Sequence, residues 1–110
     1  MVLKHFLLLC GFGLSMVACQ NSPEPQGEFE KQTPAEQGAS LYSMHCAQCH
    51  GEDGQLGASG AKDLSKSLLS EAQISKLIEN GKGAMPPMKA LLETDQNINL
   101  VIDHIKKLRR

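Results

Sequence analysis

The chain is short of aromatic residues. Its 110 residues contain no Trp, one Tyr and three Phe. Phe6 and Phe12 lie in an apolar N-terminal run and Phe29 in a polar stretch, so Tyr42 is the only large ring in the part expected to fold. A small domain with a single large ring needs another source of buried apolar area or a staple. The sequence therefore predicts a core that is completed by something other than its own side chains.

A strong charge of either sign is also missing. The formal net charge is −1 for the whole chain. Residues 34–110 carry nine basic and nine acidic side chains, and residues 19–110 have a net charge of −2. This balance provides no basic field for nucleic acid. The length allows one domain, and no nucleic-acid partner is predicted.

No apolar run is long enough for a normal membrane span, which needs about 20 residues. After a short basic start, the run "FLLLCGFGLSMVA" has about the length of a signal peptide, and polar sequence begins directly after Cys19. We therefore predict an export signal over residues 1–18.

The end of this run, "LSMVAC", resembles a bacterial lipobox, in which the cysteine after the cleaved bond is lipidated. Val17, Ala18 and Cys19 fit that pattern, whereas Met16 stands where Leu is most usual. The alternative is a plain secreted protein with a spare thiol. Residues 19–33 hold two prolines, one glycine and three glutamates, and Phe29 is their one sizeable apolar side chain, which indicates a flexible tether. We expect a periplasm-facing domain, anchored to a membrane of the bacterial envelope through Cys19.

The stretch "MHCAQCHG", residues 44–51, holds the two cysteines that remain, Cys46 and Cys49. A structural zinc site needs four ligands, and downstream of His50 the sequence offers only His104. A dithiol redox site of the thioredoxin kind needs a βαβ context, and no run resembles a buried parallel strand. Both interpretations are weaker than a third.

The third interpretation is that CXXCH is an attachment site for haem c. Cys46 and Cys49 would form thioethers to the two vinyl groups, and His50 would be the proximal iron ligand. Haem is a large flat apolar body, which would supply the buried apolar area that a chain with so few aromatic side chains lacks. The export signal agrees, because covalent haem attachment in bacteria takes place outside the cytoplasmic membrane. One covalent haem c is predicted.

Amphipathic patterns and capping boxes predict three main helices and no strands. The first begins after Thr33 and runs into the attachment motif, and the second begins after Ser70 and ends at Asn80-Gly81. The last begins near Thr94 or Asp95. Residues 51–68 are predicted to be a loop with one turn near Asp63-Leu64. The expected inward-facing positions are Ala35, Ala39, Tyr42 and Cys46, then Ile74, Leu77 and Ile78, then Ile98, Val101, Ile102, Ile105 and Leu108.

Residues 35–110 resemble the class I c-type cytochromes. Three segments carry the resemblance: "GASLYSMHCAQCHGEDGQLG" at 38–57, "SEAQISKLIENGKGAMPPM" at 70–88 and "NINLVIDHIKKL" at 97–108. The matching family positions are Gly38 and Tyr42 on the first helix, and Gly81, Lys82, Gly83, Met85 and Pro86 in the later loop. The resemblance implies an all-α cytochrome c fold for a domain at residues 34–110.

The resemblance also implies that Met85 is the distal iron ligand, because the family's ligand directly precedes the proline. Met88 is chemically equivalent and remains the alternative, with an apolar filling role if it does not bind. Family members often have a loop proline whose carbonyl accepts from the proximal histidine, and Ala61 stands there in this chain. The partner of the His50 ring is therefore left open. His104 occupies a position where the family tends to carry a packing aromatic, with iron ligation as the alternative.

His and Met ligation leaves no iron position for a substrate. The expected function is therefore one-electron transfer and not enzyme catalysis, between a quinol-oxidising complex or dehydrogenase and a terminal oxidase or reductase. The alternatives are a haem sensor or peroxidase-like enzyme with a displaceable methionine, and an electron-transfer subunit of a larger oxidoreductase.

Overall fold

A computed structural model of the protein describes residues 31–110. The predicted signal peptide, Cys19 and most of the tether lie outside the described residues. The described part is helical and contains no strand, only one isolated bridge between Lys82 and Met85. This confirms the predicted all-α class. The helices are α1 Pro34–His45, α2 Ala47–His50, α3 Glu71–Asn80, α4 Lys89–Leu92 and α5 Asp95–Leu108, and 3₁₀ turns lie at Ala58–Gly60 and Leu64–Lys66.

Helix α1 begins with the predicted capping box. The Thr33 hydroxyl accepts a hydrogen bond from the Glu36 N–H at 3.3 Å, and the Glu36 carboxylate accepts from the Thr33 N–H at 2.8 Å. Both N–H groups would otherwise be unpaired donors at the start of the helix. The predicted inward face is wrong at Ala35, which is exposed, because the side of α1 that meets the core is centred on Gly38, Leu41 and Tyr42.

The centre of the fold is the packing of α1 against α5. Gly38 lies where the two helices are closest, and a Cβ atom there would be 2.4 Å from the carbonyl oxygen of Leu100. Only glycine permits this approach, because a Cβ contact below 3.0 Å forces the backbone apart. Ala35 stays exposed beside this crossing, at a groove that it lines together with Leu100 and His104.

The other two main helices begin as predicted. The Ser70 hydroxyl accepts from the Gln73 N–H at 3.3 Å, and the Thr94 hydroxyl accepts from the Asn97 N–H at 3.1 Å. Of the expected core positions, Leu77 and Leu108 are only half-buried. The buried apolar residues are Leu41, Tyr42, Ile74, Ile78, Met88, Leu92, Ile98, Val101, Ile102 and Ile105.

The connections hold more helix than the sequence predicts. The loop at residues 51–68 contains two 3₁₀ turns where one was expected, and α4 was not predicted. Helix α4 is a single turn that brings Leu92 into the core with no measurable exposure. Among residues 31–110 no helix combines the length and apolar character that crossing a membrane requires.

Candidate functional site

The CXXCH motif is wound into one helical turn. The Cys49 N–H donates to the Cys46 carbonyl at 3.2 Å and the His50 N–H donates to the same oxygen at 3.0 Å. Residues three apart on a helix lie on the same side, so this winding places both sulfur-bearing positions on one face. Neither cysteine is in a disulfide. The turn therefore presents two free thiols, and His50 follows Cys49 directly in the chain.

The two thiols differ in their surroundings. Cys49 is exposed, whereas Cys46 is half-buried and packs against the core. Burial raises the pKa of the Cys46 thiol to about 11, and the neighbouring Cys49 adds to that rise. Cys46 is therefore protonated at neutral pH when nothing is bound to its sulfur. Within residues 31–110, no three His, Cys, Asp or Glu side chains are grouped so that they could hold a metal ion.

The ring of His50 is held by a backbone carbonyl. Its Nδ1 atom lies 3.0 Å from the carbonyl oxygen of Lys62. A carbonyl can only accept, so Nδ1 carries the proton in this contact and Nε2 keeps a free lone pair. This is the tautomer that a metal-binding imidazole needs. The structure thus identifies the partner that the sequence left open, and it is Lys62 and not its neighbour Ala61.

The Lys62 carbonyl sits in a loop that is tied internally. The Leu64 N–H donates to the Gly54 carbonyl at 2.8 Å. The Asp63 carboxylate accepts from the Ser65 hydroxyl at 2.6 Å and from its N–H at 2.9 Å. These hydrogen bonds from Ser65 hold the pKa of Asp63 below its ordinary value. The predicted turn at Asp63 therefore holds in place the residue that directly follows Lys62, the partner of His50.

The end of α5 also holds this loop. The Arg109 guanidinium donates to the Leu69 carbonyl at 2.7 Å, and the Arg110 backbone N–H donates to the Ser65 carbonyl at 3.0 Å. Cations at the end of a helix would be expected from the sequence only to interact favourably with the helix dipole. No local pattern indicates these contacts, because the partners are about 40 residues away along the chain.

Met85 lies in a tight turn built on Gly81. The Lys82 N–H donates to the Met85 carbonyl at 2.9 Å, and the Met85 N–H donates back to the Lys82 carbonyl at 3.1 Å. Gly81 has a φ of +69°, and a Cβ there would lie 2.4 Å from the Met85 carbonyl oxygen. Gly81 therefore allows the turn to fold back onto the end of α3. The Met85 side chain is half-buried and packs against the edge of the core.

Met88 is in a different environment from Met85. Its side chain is only 8 % exposed and belongs to the core, and its N–H donates to the Ile78 carbonyl at 2.7 Å. A methionine so placed serves as an apolar filler. The half-buried Met85 is therefore the better placed of the two for a ligand.

Tyr42 joins three parts of the site. Its hydroxyl donates to the carbonyl of Gly51, the residue after His50, at 2.7 Å. The His104 ring packs on the Tyr42 ring with centroids 4.7 Å apart, which confirms the predicted packing role of His104. Burial raises the pKa of the Tyr42 phenol, because a phenolate there would lose its hydration. The site is thus tied to both α1 and α5.

The two remaining polar residues of the motif are peripheral. The Met44 side chain is 60 % exposed, and His45 is half-buried at the end of α1. The hydrogen bond of the His50 ring goes to Lys62 and not to either of them.

These features fit a covalent haem. The pair of free thiols, the unengaged Nε2 of His50 and the thioether of Met85 match the required donor set. Large apolar side chains are also left uncovered in the loop at residues 51–68, where Leu56 is 60 % and Leu68 97 % exposed. A flat apolar group would remove such surface from water.

Comparison with known proteins also indicates a haem-binding cytochrome. Residues 33–105 match the family model described as "Cytochrome C oxidase, cbb3-type, subunit III". The chain is 38% identical over 66 residues to a protein named cytochrome c6 from Leptolyngbya boryana, and the match covers 54% of this chain and 75% of that protein. No solved structure matches.

Proposed function

We propose that this chain, which belongs to the c-type cytochrome family described as cytochrome c oxidase, cbb3-type, subunit III, passes single electrons between redox proteins of a bacterial envelope respiratory chain. Its cofactor is haem c, covalently bound, as in the cytochrome c family. Bound haem supplies an iron centre that accepts and returns one electron. The observation that carries the proposal is the contact between His50 Nδ1 and the Lys62 carbonyl, which leaves Nε2 free beside the paired thiols.

Each site residue has a distinct role in this proposal. Cys46 and Cys49 hold the cofactor through two thioethers from one helical turn. Nε2 of His50 would bind the iron, and the contact of Nδ1 with the Lys62 carbonyl fixes the orientation of the ring. Met85 supplies a neutral thioether, which raises the reduction potential relative to bis-histidine ligation. With His50 and Met85 both holding it, the haem would supply outer-sphere one-electron transfer and would offer no iron site to a substrate.

A spectrum of the reduced holoprotein tests this function. With His50 and Met85 both bound, the low-spin spectrum is expected to stay unchanged when carbon monoxide is added. A shifted Soret band would show a displaceable methionine, and would favour the sensor or peroxidase-like alternative.

A second candidate is an electron-transfer subunit of a larger oxidoreductase. The description of the matching family favours it, because that description names an oxidase subunit. If the protein is a free carrier, it is expected to be purified from detergent-solubilised membranes as a single chain. Its co-purification in fixed ratio with other subunits would favour the second candidate. The proposed donor is a quinol-oxidising complex or dehydrogenase, and the proposed acceptor is a terminal oxidase or reductase.

The proposed location is the periplasmic face of an envelope membrane, with an anchor on Cys19. The support is the sequence "LSMVAC" and the polar tether that follows it. Metabolic labelling with palmitate is expected to mark the wild-type chain and to be lost in a Cys19→Ser variant. Cys10→Ser is the matched control, since Cys10 lies within the proposed signal and its variant should still be labelled. Label that survives Cys19→Ser would refute the anchor.

A further inference from the structure

His104 is a half-buried residue whose imidazole the proposed electron transfer does not use. Its Nε2 atom is buried and has no hydrogen-bond partner. A buried nitrogen without a partner is costly, because it has given up its hydrogen bond to water. Packing alone would be served as well by a phenyl ring, so the imidazole at this position calls for a separate explanation.

The position of His104 connects it to the redox site. Its ring lies 4.7 Å from the Tyr42 ring, measured between centroids. The Tyr42 hydroxyl is in turn 2.7 Å from the carbonyl of Gly51, which directly follows His50. Two contacts therefore separate the imidazole from the peptide after the proximal ligand. A charge that forms on this ring acts through a buried, low-dielectric region, where electrostatic interactions are weakly screened.

We propose that His104 binds a proton more tightly when the haem iron is reduced, and that it thereby couples the reduction potential of the domain to pH. This inference rests on the proposed function. One electron arrives from the donor protein and lowers the charge of the centre by one. In response, the imidazole of His104 takes up part of one proton from water, and the proton leaves when the electron is passed on.

The charged groups around the ring determine the pH range. Burial is the main reason that the pKa of His104 is lowered, and Lys107 on the same helix lowers it further. Glu52, in the loop after the motif, acts in the opposite direction. Tyr42 is the neighbour from α1. Asp103 and Lys106 line the same groove as His104, and their side chains are paired with each other at 3.4 Å. The coupling is therefore expected at a pH below about 6.5, the ordinary histidine value.

Thermodynamic linkage fixes the sign of the effect and relates the shift in potential to the change in proton affinity. The electron must raise the proton affinity by the same factor by which the proton raises the electron affinity. A coupling of about fivefold lies at the lower end of typical values. It corresponds to about 41 mV, since a tenfold change is 59 mV for one electron. The potential is therefore expected to rise by about this amount as the pH falls.

The test is a spectroelectrochemical titration of the full-chain holoprotein between pH 8 and pH 5. His104→Phe keeps a ring against Tyr42 but cannot bind a proton, so it should lose this part of the pH dependence. The haem propionates titrate in both proteins, and subtracting the two curves removes their contribution. Lys107→Gln removes the cation that opposes protonation and should move the rise in potential to higher pH.

A second measurement does not depend on a variant that folds. The proton affinity of His104 can be followed by NMR of its ring protons in oxidised and reduced wild-type protein, with tighter binding expected in the reduced form. Equal affinity in the two oxidation states, or an unchanged pH curve in His104→Phe, would overturn the proposal while electron transfer stands. A chain that attaches no haem would overturn the proposed function, and the coupling with it.

Discussion

Gly81 and Met85 are in such close contact that a Cβ atom on Gly81 would lie 2.4 Å from the Met85 carbonyl oxygen. The contact folds the methionine turn back onto α3, with Gly81 at a φ of +69°. A substitution at Gly81 should therefore displace Met85 itself.

We expect Gly81→Ala to weaken or abolish methionine ligation, and Gly83→Ala to preserve it. Gly83 is the matched control, since its φ of +59° is also positive but a Cβ there would meet nothing within 4 Å. Both variants should lose about 1 kcal/mol or more from the left-handed backbone, and only Gly81→Ala should also lose the thioether-to-iron charge-transfer band of the oxidised protein. Equal spectra for the two variants would contradict this prediction.

The two methionines should respond differently to truncation. Met85→Ala is expected to remove the thioether ligand at little cost to packing, because the Met85 side chain is only half-buried. Met88→Ala should keep the ligand but lower the free energy of unfolding by about 2–5 kcal/mol, since it leaves a cavity in the core. The absorption spectrum and urea denaturation of each holoprotein separate the two effects. A thioether band that persists in Met85→Ala and disappears in Met88→Ala would assign the ligand to Met88.

The adjacent arginines provide a test of the loop that holds Lys62. Arg109→Ala removes the side-chain donor to the Leu69 carbonyl, whereas Arg110→Ala removes the same charge but keeps the backbone donor to Ser65. We therefore expect faster proteolysis of the loop at residues 51–69 in Arg109→Ala alone. Limited proteolysis followed by mass spectrometry gives the cleavage sites. Equal rates in the two variants would show that net charge, and not the hydrogen bond, determines loop stability.

His104 should make the fold sensitive to acid. Burial lowers its pKa in the folded protein, so the unfolded chain binds the proton more tightly. Its contribution to stability is full above pH 6.5, the ordinary value, and is lost as the pH falls through the lowered pKa. We expect the loss of unfolding free energy between pH 7.5 and pH 5 to be smaller in His104→Phe than in the wild type. Parallel urea denaturation curves at the two pH values provide the measurement, and equal losses would contradict the prediction.

Local sequence signals account for much of the fold. The capping boxes at Thr33 and Ser70 and the Thr94 cap satisfy helix-start donors within three residues, so their chemistry can be read directly from the chain. The single turn of α4 escaped prediction because four residues show no periodicity. The exposure of Ala35 escaped prediction because packing against α5 decides which side of α1 meets the core. The close approach there is between Gly38 and Leu100, which are 62 residues apart along the chain.

By itself the sequence determined the helical class, the CXXCH motif and the choice between a few ligands, because each depends on residues that are neighbours along the chain. Only the tertiary structure determined that Lys62 holds the His50 ring, that Met88 lies in the core while Met85 lies at its edge, and that His104 packs on Tyr42. These are contacts between distant segments, and they form only where close packing and buried hydrogen bonds bring those segments together.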